Sequence, residues 1–126
     1  MNLTTLRTHC LAKPGTTEER PFGPDTLVYK VMGKMFALTG DDPEPQSVNL
    51  KCDPDDSLAL RSQFKGIREG YHMDHRHWIT VELDSDIPHG LLLELINDSY
   101  DLVVAKLPKR DRETLKSLLS FKLEPH

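Results

Sequence analysis

The chain has 126 residues, 37% of them hydrophobic and 29% charged, with a formal net charge of −4. That length suits a single domain, residues 1–126, because single cores divide only beyond roughly 250 residues. No stretch approaches the roughly 18 apolar residues of a membrane span, and the acidic balance excludes a uniformly basic nucleic-acid protein.

Leu3, Leu6, Cys10 and Leu11 recur at helical spacing, which predicts an amphipathic helix over residues 2 to about 12, ended by Pro14-Gly15. Thr16 to Phe22 has room for a short edge strand, since Pro21, Gly23 and Pro24 prevent anything longer. Leu27 to Met32 and Met35 to Thr39 are β-like runs around Gly33, which predicts a hairpin with Lys30 and Lys34 near its tip. Residues 40–46 form an acidic loop whose two prolines stop any ladder. Val48, Leu50 and Cys52 alternate with Asn49 and Lys51, the period of a half-buried strand.

Asp53-Pro54-Asp55-Asp56 opens a helix, the aspartates satisfying free N–H groups and the positive helix end, so capping accounts for this acidic cluster better than metal binding. Gly66 marks its end. A second hairpin is expected from Ile67 to Met73 and His77 to Leu83, turning through Asp74-His75-Arg76. On its return strand Ile79, Val81 and Leu83 face one side, and Trp78, Thr80 and Glu82 the other. Pro88 opens a long helix with Leu92, Leu95, Ile96, Ser99, Leu102 and Val103 on one face. Pro108 separates it from a last, basic helix whose apolar side is Leu115, Leu118 and Leu119. The order predicts an α+β fold: an antiparallel sheet of about five to six strands with helices packed on one face.

Charge is segregated by element. Residues 27–40 and 61–80 each net +2, residues 41–60 net −5, residues 81–105 hold six acids and no lysine or arginine, and residues 106–126 net +3. An acidic protein can therefore carry a local basic face that steers a polyanion. The densest polar cluster runs from Tyr71 to Trp78. His72, His75 and His77 invite a metal reading, but a turn at 74–76 sends His75 to the tip and leaves a tetrahedral set incomplete. Cations at the tips of two-stranded ribbons can instead touch phosphates or base edges. Trp78 reads as a cross-strand anchor, with Tyr71 or Trp78 stacking on a base as the sharper alternative. No nucleophile elbow, phosphate loop, zinc-protease motif or dinucleotide fingerprint is present, and no enzyme is expected. Ser99 is expected to hydrogen-bond locally. Cys10 and Cys52 read as buried thiols of a cytoplasmic protein rather than a disulfide. Neither a secretion signal nor a cofactor is expected.

Four motifs then stand in order: Lys34-Met35-Phe36-Ala37-Leu38, Asn49-Leu50-Lys51-Cys52-Asp53-Pro54, Gly70-Tyr71-His72-Met73 with His77-Trp78, and Ser99-Tyr100-Asp101-Leu102-Val103. Together they resemble the MmcQ/YjbR family over roughly residues 2–120. The resemblance implies a fold like that of CyaY, the bacterial frataxin, and DNA binding through a double wing of two hairpins. It also suggests iron, but helix 1 departs from the acidic frataxin helix, carrying no Asp or Glu between Asn2 and Lys13. The expected partner is DNA, contacted by a monomer through Lys30, Lys34, Arg68, His72, His75, Arg76 and His77, a set drawn from hairpin charge. Histidine contacts to phosphate would strengthen below about pH 6.5. The rival expectations are a protein-interaction module and a metal- or small-molecule-binding protein.

Overall fold

Helices and strands form where their signals stand. The computed structural model describes residues 1–40, 46–70 and 74–123, with side chains as far as residue 118. In chain order the elements are α1 (Leu3–Leu11), β1 (Thr16–Glu19), β2 (Thr26–Val31), β3 (Lys34–Gly40), β4 (Ser47–Lys51), α2 (Pro54–Gln63), β5 (Ile67–Glu69), β6 (Trp78–Glu82), α3 (His89–Ala105) and α4 (Lys109–Leu123). The Asn2 side chain caps α1 by accepting from Thr5 N–H at 2.9 Å. Asp53 caps α2 by accepting from the N–H groups of Asp55 and Asp56, with Pro54 at the first helical position, as the capping physics predicts.

The six strands form one antiparallel sheet in the order β1-β2-β3-β4-β6-β5. The Thr16 segment is the predicted edge strand. At the β2–β3 turn Met32 and Gly33 both have positive φ, 49° and 82°, the type I′ geometry whose twist matches a two-residue hairpin.

Along β4 and β6, Val48, Leu50, Ile79 and Val81 point to the helices, while the paired Asn49 and Thr80 point away and hydrogen-bond at 2.6 Å. Leu27, Tyr29 and Ala37 complete the inner face, and Leu6 and Cys10 of α1 with Leu92, Leu95, Ile96 and Val103 of α3 cover it. Each leucine, isoleucine or valine among them contributes up to about 1.5–3 kcal/mol of transfer free energy. Leu115 joins α4 to this core, passing so close to Gly15 (φ 72°) that an added Cβ would lie 2.5 Å from it.

One irregularity organises the centre. Tyr29 pairs with Ala37 and Lys30 with Met35, so Phe36 is the extra residue of a β-bulge. Its ring meets Tyr100 of α3 edge-on, 5.4 Å between centroids. The β3–β4 ladder stops at Ala37–Leu50. Beyond it the fully buried Ser99 hydroxyl donates to Phe36 O at 2.6 Å and accepts from Lys51 N–H at 2.8 Å. The expected local bond of Ser99 is therefore corrected: α3 lies against the sheet, and its serine replaces the missing rung.

Candidate functional site

Strand direction puts both hairpin turns at one end of the sheet. Lys51, at the end of β4, pairs with Trp78 at the start of β6, and Cys52 N–H bonds His77 O at 2.8 Å. The β2–β3 turn lies at the same end, about 14 Å away at three strand spacings. The second hairpin keeps its predicted start at Ile67, while residues 71–73 of its predicted first strand lie outside the described residues. β5 ends at Glu69 and β6 begins at Trp78, one residue after the expected His77, because residues 75–77 form the turn. Asp74 builds that turn, accepting from Arg76 N–H at 3.0 Å and contacting His77 Nδ1 at 2.7 Å. These bonds hold its carboxyl below the usual range. Gly70 permits the strands to close beneath it, since a Cβ there would lie 2.8 Å from Trp78 Cβ.

The predicted contact set is divided by this geometry. Lys30 pairs with Glu19 at 3.4 Å, Arg68 with Glu82 at 2.5 Å, His75 with Glu69 at 3.1 Å and His77 with Asp74 at 2.7 Å. Arg61 approaches the same Glu69 at 3.2 Å. Lys34 and Arg76 are exposed at the turns and form no direct ion pair among the described residues, although Arg76 lies near enough to Asp74 to help lower its carboxyl. His72, Tyr71 and the acidic-loop residues 41–45 lie outside the described residues. Between the two turns stand Asp53, Asp55 and Asp56 at the start of α2. Among the described residues, no three His, Cys, Asp or Glu side chains come together as a metal site.

A second feature was not read from the sequence. α2 and α3 stand apart, and a cleft of about 550 Å³ opens between them. Leu60 and Ala59 of α2 and Leu91, Leu95, Leu102 and Ala105 of α3 give it apolar walls. Asp53, Asp56, Asp98 and Asp101 line it together with Lys51, Gln63 and Cys52. Burial and the neighbouring Asp101, Glu94 and Asp56 carboxylates push the Asp98 carboxyl upward. Burial is also the largest effect raising the Cys52 thiol to about 11, and the Cys10 thiol to about 12. Both are protonated at neutral pH, so neither is poised as a thiolate nucleophile. The helical period carries a signal for this cleft: 91, 95, 98, 102 and 105 fall on one stripe of α3, beside the stripe that packs on the sheet.

The fold and the cleft define a small α+β module: one antiparallel sheet, helices on its inner face, and a groove between two of them. The chain belongs to the YjbR family, whose model matches residues 11–102. It is 43% identical over 96 residues to Uncharacterized protein YbdF of Escherichia coli O157:H7, covering 76% of this chain and 79% of that protein. It is 30% identical over 118 residues to Uncharacterized protein YjbR of Escherichia coli K12, covering 94% of this chain and 100% of that protein. The crystal structure of Deinococcus radiodurans protein DR2400, a DUF419 domain, superimposes with a TM-score of 0.82 at 39% identity, covering 90% of this chain and 87% of that one. A Pseudomonas syringae protein structure gives 0.70 at 28% identity, over 81% and 98%. No helix among the described residues is long and apolar enough to cross a membrane.

Proposed function

We propose that this YjbR-family chain is a non-catalytic binding module whose ligand site is the cleft between α2 and α3. The observation that carries this reading is the cleft itself: its 550 Å³ falls within the range of small-molecule pockets, and it combines apolar walls with a few polar side chains. An NMR titration with a library of small apolar fragments tests it. Amide shifts confined to residues 53–63 and 91–105 support the reading; fragments that shift no residue of the cleft would sink it.

A second reading, DNA contact by the hairpins, is favoured by one observation: both turns leave the same end of the sheet, with Lys34 and Arg76 exposed and in no direct ion pair among the described residues. Phosphate neutralisation by those two cations gives a logarithmic salt slope of only about −2. The carboxylates at the start of α2 oppose a polyanion there, which ranks this reading second. A duplex titration decides it. Measurable binding at low salt that Lys34→Glu with Arg76→Glu abolishes would establish the hairpin face; binding that survives the double reversal would exclude it.

A further inference from the structure

We infer that the cleft takes an organic cation, a protonated amine carried on an apolar chain or ring. This rests on the cleft being the ligand site and names the chemistry of its occupant. Two independent features of the cavity converge on it.

The first is the apolar surface. Leu60, Leu91, Leu95 and Leu102 present a hydrocarbon wall along the gap between two helices, where an alkyl or ring body would be removed from water. At its inner limit is Cys52, only 7% exposed, lining the cleft with a thiol that has no hydrogen-bond partner among the described residues.

The second is the state of the carboxylates. Asp53 is partly occupied, since its Oδ1 accepts from both N–H groups that it caps at the start of α2. Asp56, Asp98 and Asp101, all exposed at the cleft, accept no hydrogen bond and form no direct ion pair among the described residues, with Lys13 acting on Asp101 only at longer range. Like charges held beside an apolar wall repel one another, and partial burial together with these neighbouring carboxylates raises Asp98. An ammonium group offers its N–H donors to such oxygens and relieves the repulsion. Lys51 is the one lysine or arginine among the lining residues.

The alternatives fit less well. An anionic ligand would meet the carboxylates, and the N–H groups of Asp55 and Asp56 that a helix start could offer it are already bonded to Asp53. A bare metal ion needs convergent ligands, which the described residues do not supply.

The test is a calorimetric and NMR titration of the intact chain with three probes sharing one tail: n-octylammonium, 1-octanol and octanoate. The ammonium should bind about tenfold more tightly than the alcohol, octanoate more weakly still, and the shifted amides should lie in residues 53–63 and 91–105. Asp98→Asn with Asp101→Asn should bring the ammonium down to the affinity of the alcohol. If octanol or octanoate shifts the cleft amides with an affinity equal to the ammonium, the cation inference is overturned and the cleft reading stands. If none of the three shifts the cleft amides, the cleft reading fails and the inference falls with it.

Discussion

Replacing Ser99 by alanine removes one oxygen and leaves two backbone groups without partners. In the native chain that hydroxyl donates to Phe36 O at 2.6 Å and accepts from Lys51 N–H at 2.8 Å, at a position with no solvent exposure. The bulge at Phe36 prevents the two strands from supplying the missing rung themselves. An unsatisfied buried donor or acceptor costs about 1–3 kcal/mol, and two together, allowing for partial relaxation of the strands, cost about 2–4 kcal/mol. For a chain of this length that corresponds to a fall in Tm of roughly 10 °C. Urea unfolding at neutral pH measures the loss, and amide hydrogen exchange at Lys51 locates it. A loss below about 0.5 kcal/mol with the Lys51 amide still protected would refute the account of Ser99 as a rung of the sheet, since the hydrogen bonds would then carry little of the local stability.

Gly70→Ala should destabilise the second hairpin by about 1–3 kcal/mol, because the new methyl group overlaps Trp78; a shift in tryptophan emission accompanying a lowered urea midpoint checks it. Asp98→Asn should raise stability at neutral pH. The Asp98 carboxyl is raised in the folded state, so its ionisation opposes folding once the pH exceeds its unfolded value, and the advantage of asparagine should fade as pH falls through the carboxylate range. A series of Tm values from pH 7 to pH 3 reads this directly, and a variant less stable than the parent at pH 7 would contradict it. Asp86 behaves oppositely. It accepts from the N–H groups of Lys65 and Gly66, each at 2.9 Å, and these bonds hold its carboxyl below the usual range. Its stabilisation is present above the unfolded value and lost as pH falls through the lower folded one. Asp86→Ala should therefore be the less stable chain at pH 6, and the gap should close only in strongly acidic buffer.

The architecture was legible because period and punctuation agreed. Alternation in Val48-Asn49-Leu50 and Ile79-Thr80-Val81 identified the inner face, and Asp53-Pro54 identified the start of α2. The four motifs resembling the MmcQ/YjbR family fell within or beside elements now seen to pack together. Phe36 and Ser99, from two of those motifs, meet across the bulge. What the sequence concealed was pairing between distant residues. The side chains read as a hairpin face were counted without their partners: Glu19 and Glu82 pair with Lys30 and Arg68, and Glu69 and Asp74 contact His75 and His77. Nothing in the local pattern around Lys30 or Arg68 announces an acid on the adjoining strand. The cleft was hidden for the same reason. Asp56 and Asp98 lie in different helices, and only the separation of α2 from α3 brings them to one cavity. Leu95 and Leu102 both read as part of the sheet-facing stripe, and Leu102 is corrected to the cleft, because an apolar residue on a helix reads as core until the neighbour that fails to cover it is known.

The cleft is tested most directly by intermolecular NOEs in the complex of the chain with n-octylammonium. The account predicts NOEs from the ligand's tail to the methyl groups of Leu60, Leu95 and Leu102. Tail contacts confined to other surfaces, with those three leucines silent, would contradict it.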